Sequence, residues 1–468
     1  MMKSTLDRFQ FQRSLHWIPV VCLTLWGFKN TVSNGIRYQL QHGNFSGDFS
    51  SALFDATKGG WINGYCVWSD NLSSPVVDGQ FHRGVEILYG PIFTVLQHLF
   101  VDNTCSGDRF DASDGLRSTP RVDIIEFLRV VTGINLILIA TCVWLISKLL
   151  NSTGLGTTRS LSQITVIATL WLLDSHLSYS ISVAAILEIL ELCLTLSAIV
   201  FLLNSSRSSQ ILSGSLIAVG TMIKVVPVIF APLLFYRRTH TIQRLTALIG
   251  TMLMISISVA IVLKISIIKV IYKTFLPGQA SLAPNTHSEF RSLSGALARI
   301  LNIESSSTAG TILGVSSFLA ISCSFLFAIM YTTKIRRRGW KSGELECSGL
   351  GLLVGLYCSL FPMINIAHRH TYVFLVPTYV FTYYGARSLF SGRRATLILA
   401  AGSALYLWIS QSLIAGAFTR LGKPIPVVEI FYEEALPNFG FTILIMVMIC
   451  LYESQGKSGR VSEPGLTR

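Results

Sequence analysis

Charge is scarce in this chain. Only 13% of its 468 residues are Asp, Glu, Lys or Arg, against about 25% in soluble domains. Hydrophobic residues make up 51% and mean hydropathy is +0.56. These values exclude a set of water-exposed domains and predict an all-α polytopic membrane protein. Metal-ligand spacing is missing as well. The nine Cys are scattered, mostly within apolar runs, with no Cys-x-x-Cys and no His/Cys ligand pattern, so no metal, cofactor or disulfide framework is expected. A Gly-rich phosphate loop and a dinucleotide-binding half are both lacking, and no Asp-x-Asp pair occurs. The opening stretch MMKSTLDRFQFQRSLHWIPVVCLTLWGF has a basic start but no small-residue cleavage site, which predicts a retained first span.

The charge that is present leans positive, with a formal net of +13 and a pI near 9.4. In a soluble protein that excess would suggest nucleic acid. Here the basic residues stand in short clusters between apolar runs, so they read as orientation charges and no nucleic-acid partner is expected. Requiring about 20 mostly apolar residues per span predicts about twelve crossings. They fall near 15–34, 85–102, 122–149, 161–177, 181–203, 210–236, 245–270, 308–332, 349–366, 371–388, 395–415 and 439–453. One transmembrane domain would then cover 1–453, with a short cytoplasmic tail over 454–468. Basic clusters at Lys3 to Arg13, Arg237 to Arg244, Lys334 to Lys341, Arg387 to Arg394 and Lys457 to Arg460 put both termini in the cytoplasm. The same parity puts the long segments 35–84, 271–307 and 416–438 outside. It also places the acidic-leaning loop DNTCSGDRFDASDGLRSTPR (Asp102 to Arg121) inside, against its charge.

Four stretches carry polar residues where a purely structural membrane protein needs none. In GDFSSALFDATKGGWINGYCVW (Gly47 to Trp68), Asp48 and Asp55 are seven apart and share a helical face, while Phe49, Leu53 and Ala56 make a modest apolar one. This predicts a short helix on the membrane surface, either a solvated acidic helix or part of a site. In HSEFRSLSGALARIL (His287 to Leu301), Phe290, Leu293, Leu297 and Leu301 recur at helical spacing. Arg291 and Arg299 lie on the other face, which reads as an interfacial helix offering cations to a phosphate or a lipid headgroup. In FPMINIAHRHTYVFLVPTYVF (Phe361 to Phe381), Asn365, His368, Arg369 and His370 interrupt two apolar runs, with Tyr372 and Tyr379 as candidate aromatic-belt anchors. The fourth is GTMIKVVPVIFAPLLFYRR (Gly220 to Arg238). Its Lys224, near the middle of an apolar run, costs about 2.5–3.5 kcal/mol on insertion scales and so calls for a partner or a wet cavity.

These pieces, in this order, resemble the GT-C membrane glycosyltransferases, in particular glycosyltransferase family 87. The carriers of the resemblance are the acidic GDF helix followed by YGPIFTVLQHLF (Tyr89 to Phe100), then KVVPVIFAPLLFYRR, RSLSGALARIL and INIAHRHTYVFLVP. One departure is Tyr89-Gly90-Pro91 where the family tends to show Tyr-Pro-Pro. The resemblance implies a polyprenyl-phosphate-sugar donor, mannose as the expected hexose, a lipid or glycan acceptor hydroxyl, and a bilayer setting. That setting would be a bacterial cell membrane, or the endoplasmic reticulum in a eukaryote. It carries over Asp48 as the base that takes the acceptor proton at the non-cytoplasmic face. Asp55, Lys224, Arg291, His368, Arg369 and His370 become substrate-binding candidates, the cations among them facing the departing phosphate. Direct attack by the acceptor on the anomeric carbon would invert its configuration. For Lys224 a second reading stands beside this one, a buried ion pair with Glu188 or Glu191 on the neighbouring span. For the whole chain the alternative is a multi-pass transporter or a lipid-linked sugar flippase.

Overall fold

A computed structural model describes residues 124–156, 160–173, 186–224, 226–237, 239–263, 292–304, 307–342, 347–363, 369–409 and 435–458. Shorter described pieces are 76–77, 80–81, 91–92, 101–102, 119–120, 266–268 and 270–271. Apart from two antiparallel pairings of two residues each, Val76–Val77 with Gln80–Phe81 and Val101–Asp102 with Thr119–Pro120, the regular structure described is helical. Among the described residues, four stretches can cross a membrane by length and composition: Gly133–Ser152, Thr241–Val262, Thr308–Arg338 and Ala435–Gln455. The all-α membrane class expected from composition is therefore observed. The chain divides into two compact units, Met1–Leu145 with Ile164–Ser281, and Ile146–Gln163 with Leu282–Arg468.

In the first unit, most of helices α1 (Ile124–Ser152) and α2 (Ser160–Leu173) accompanies α3 (Ile186–Leu203), α4 (Arg207–Ile223) and α5 (Thr241–Leu263). Helix α4 packs on both α3 and α5. Its contact with α5 runs through Gly214, where an added Cβ would stand 2.2 Å from the Arg244 carbonyl oxygen and 3.1 Å from the Leu248 nitrogen. Only a residue without a side chain lets the two backbones come this close. Gly214→Val should therefore destabilise the chain by about 1–3 kcal/mol, the usual cost of overpacking. The shift in the unfolding midpoint, compared with Gly250→Val, measures it, because nothing lies within 4 Å of a Cβ at Gly250. Equal shifts would show that helix propensity, and not the close approach, accounts for the loss.

The apolar run 210–236, expected to cross as one helix, does not. Helix α4 stops at Ile223, and Lys224 is extended, with φ −151° and ψ 131°. A 3₁₀ segment, Val226–Phe235, follows with Pro232 inside it. Pro227 and Pro232 lack the N–H groups that a continuing α-helix would use. The direction of the return is fixed by Arg244. Its guanidinium donates to Gln210 Oε1 near the start of α4 and to Leu234 O, 2.7 Å away, at the end of the 3₁₀ segment. In a continuous helix those two residues would stand about 36 Å apart. The chain thus reverses at Lys224, and both arms of the hairpin end beside the basic loop 237–244. The run 210–236 is thus a hairpin of a helix and a 3₁₀ segment and not one continuous span.

In the second unit, α6 (Leu293–Ile300), α7 (Thr308–Ser342), α8 (Cys347–Leu360), α9 (Leu375–Leu389), α10 (Gly392–Ile409) and α11 (Ala435–Ser458) join the end of α1. That end turns at Gly154, whose φ of +70° suits a residue without a Cβ. The turn is held by Ser348 Oγ donating to Thr153 O at 3.2 Å and by Ser388 Oγ donating to Leu155 O at 2.8 Å. Both serines flank basic loops. The turn therefore lies beside the start of α8 and the end of α9. A polar seam joins α8 to α11, with Asn438 Nδ2 donating to Ser359 O (2.8 Å) and Thr442 Oγ1 to Ser359 Oγ (2.9 Å). At the basic ends of α7 and α11, Arg338 and Lys334 both bind the Glu453 carboxylate.

Candidate functional site

The reversal places a buried charge cluster inside the first unit. Lys224 is 1% exposed, and its Nζ lies 2.5 Å from Glu188 Oε1. Glu188 and Glu191, three residues apart on α3, share a helical face, and Glu191 is within electrostatic reach of Lys224. Glu191 is fully buried, and among the described residues neither of its carboxylate oxygens accepts a hydrogen bond. One ammonium thus serves two carboxylates. The backbone around Lys224 adds to this, since its N–H donates to Gly220 O at 3.0 Å as the C-cap of α4, and a cation suits a helix C-terminus. Roughly 22 Å of α3 separates Glu188 from Leu203 at 1.5 Å rise per residue. The Gln210 side chain donates to Phe201 O and Leu202 O at that end of α3. The cluster therefore lies far across the first unit from the basic loop 237–244. Non-helical backbone at such depth is tolerated where it is enclosed by protein or lines a polar cavity. Chemically, the carboxylates can accept hydrogen bonds from hydroxyl groups, and the ammonium can donate to a phosphate or hydroxyl oxygen.

Of the other expected site residues, Asp48, Asp55, Arg291 and His368 lie outside the described residues. Arg369 and His370 open the 3₁₀ segment Arg369–Phe374; their side chains lie outside the described atoms. That segment is fastened in the second unit by Phe374, whose ring stacks on Phe361 with centroids 3.7 Å apart. Tyr372, a candidate belt anchor, is instead fully buried, and Tyr379 stacks on Tyr406 at 4.3 Å. Arg291 comes just before Ser292, the N-cap of α6, whose Oγ accepts from the Gly295 N–H at 3.2 Å. The burial of α6 departs from the expected amphipathic pattern. Its covered face is built from Leu293, Ser294, Gly295, Ala296 and Ala298, while Leu301 is 57% exposed. Small residues let α6 approach α7 and α11 closely, and that packing outweighs the leucine stripe.

Sequence reasoning treated Arg244 as one orientation charge among several. In the structure it is fully buried and donates to Leu234 O, Thr239 O and Arg237 O as well as to Gln210 and Thr241. It satisfies carbonyls that a 3₁₀ end leaves open, as a planar five-donor fork can. Gln210, an otherwise unremarked polar residue at the start of an apolar run, was the signal available in the sequence.

Comparison with known proteins bears on the same stretch. The sequence pattern of glycosyltransferase family 87 matches residues 124–359, just over half of the chain, and spans both the reversal at Lys224 and helix α6. A search among curated proteins finds no match. With the ordered motifs of the sequence and the helical membrane architecture, this match places the chain: it belongs to glycosyltransferase family 87, a family of GT-C type membrane glycosyltransferases.

Proposed function

We propose that this membrane glycosyltransferase moves a hexose, with mannose the expected one, from a polyprenyl-phosphate donor to a hydroxyl of a lipid or glycan acceptor at the non-cytoplasmic face. The observation that carries the reading is the match to family 87 over residues 124–359. A lipid-phosphate donor accords with the chain's lack of a Gly-rich phosphate loop and of an Asp-x-Asp pair, which nucleotide-sugar chemistry would favour. Asp48 takes the acceptor proton as its oxygen attacks the anomeric carbon; the bond to the donor phosphate breaks, and the configuration inverts. Arg291, His368, Arg369 and His370 supply the cations that meet the charge developing on the leaving phosphate. Asp55 and Lys224 complete the substrate-binding set, Lys224 from beneath through the polar cluster it shares with Glu188 and Glu191.

The test uses the purified full chain in detergent with a short polyprenyl-phosphate mannose and a mixture of lipid and oligosaccharide acceptors. Product is expected from that donor and not from a nucleotide-activated mannose at the same concentration. Equal transfer from the nucleotide sugar would overturn the donor assignment. Vectorial uptake of the lipid-linked sugar into proteoliposomes, with no transfer, would favour a flippase.

A further inference from the structure

A groove of about 690 Å³ lies in the second unit where α7 meets α11. Its wall is graded. Phe327, Met330 and Tyr331 on α7 and Ile449 on α11 line one part, and Lys334 and Arg337 line the other. Both helices change from apolar to polar in the same direction, and both belong to stretches long and apolar enough to cross a membrane. Met330 is 71% exposed, an apolar surface meant for hydrocarbon and not for water. Glu453 also faces the groove, but its carboxylate is held by both Arg338 and Lys334, the latter at 2.6 Å, so its charge is offset twice over. Arg337 is exposed, and no hydrogen bond or ion pair engages it among the described residues.

We infer that this groove is a binding site for a membrane phospholipid with an anionic headgroup. The phosphate sits between Lys334 and Arg337, and one acyl chain runs along Phe327, Met330 and Ile449. Charge complementarity selects the occupant. A neutral apolar partner would gain nothing from the cationic rim, and a soluble anion would leave the apolar wall bare. The basic end of α7 belongs to the KIRRRGWK cluster, assigned to the cytoplasmic side by the positive-inside rule, and anionic lipids of that leaflet attract basic residues placed near the surface. The inference is independent of the sugar-transfer reading.

Native mass spectrometry of the detergent-purified full chain, titrated with dioleoylphosphatidylglycerol and separately with dioleoylphosphatidylcholine, tests it. The phosphatidylglycerol should bind at least several-fold tighter. The double variant Lys334→Gln/Arg337→Gln should lose roughly thirtyfold of that affinity, the scale expected for two basic residues facing an anionic headgroup. Arg393→Gln/Arg394→Gln removes the same charge from the exposed first turn of α10 and should leave binding within about twofold, as a change outside the headgroup's reach predicts. A second readout needs no variant. Cys450 lines the groove and is exposed, so phosphatidylglycerol should slow its alkylation by N-ethylmaleimide, and phosphatidylcholine at the same concentration should not. Equal affinity for the two lipids, equal loss in the control double variant, or unaltered Cys450 alkylation would each overturn the site. Displacement of the lipid by millimolar inorganic phosphate would reassign it to a free anion.

Discussion

Lys224→Met should lower the stability of the folded chain by about 3–5 kcal/mol, the range seen when one partner of a buried ion pair is removed. The substitution keeps the aliphatic stem but deletes the only ammonium that the described residues bring to Glu188 and Glu191. Two buried carboxylates would then stand three residues apart on α3 without the Lys224 ammonium. Glu188→Gln should be milder, because Lys224 can turn to the Glu191 carboxylate, whose oxygens hold no hydrogen bond among the described residues. Glu191→Gln should be milder still. This ranking, Lys224 first and Glu191 last, can be read from unfolding midpoints in a mixed-detergent titration of the full chain. The joint change Lys224→Met/Glu188→Leu separates structure from function, since apolar replacements of both members of a buried pair are often neutral or stabilising. If that double variant regains both fold and sugar transfer, Lys224 is only an ion-pair partner and leaves the substrate-binding set. If the fold returns without activity, the ammonium serves the substrate.

The membrane class and the family could be read in the sequence because both rest on composition and on short motifs in order. So could the partner of Lys224, since Glu188 and Glu191 are the carboxylates on the adjacent apolar run. The reversal could not. Hydropathy has no direction, and the run from Ile211 to Phe235 is as apolar folded back on itself as it is stretched across a bilayer. Its local signals were a mid-run lysine and two prolines, and these fit a kinked span equally well. Only the shared grip of Arg244 on Gln210 and Leu234 decides it, and that is a contact between residues 24 apart in the chain. The leucine stripe of α6 misled for a different reason. Periodicity ranks side chains by hydrophobicity, whereas close helix packing in a membrane is driven by small residues, here Ser294, Gly295, Ala296 and Ala298.

Asp48→Asn should reduce sugar transfer by about 10²–10⁴-fold, the usual contribution of a positioned general base. The amide keeps the size of the side chain and much of its hydrogen bonding but cannot accept the acceptor's proton as the glycosidic bond forms. Asp55 is the internal control. It shares a helical face with Asp48 in the predicted surface helix but lies about 10 Å further along it at 1.5 Å rise per residue, too far to serve the same hydroxyl. Asp55→Asn should therefore act on donor affinity more than on turnover. Glu191→Gln is the second control, because Glu191 is the buried carboxylate in the described part of the chain with oxygens left open to a ligand. Single-turnover transfer from a saturating polyprenyl-phosphate donor measures the chemical step, with donor binding determined separately so that a loss of affinity is not mistaken for a loss of catalysis. A large fall in turnover at Asp48 with unchanged donor binding assigns the base. Near-wild-type turnover in Asp48→Asn, together with a collapse in Glu191→Gln, would move the proton acceptor from the external loop to the reversal at Lys224.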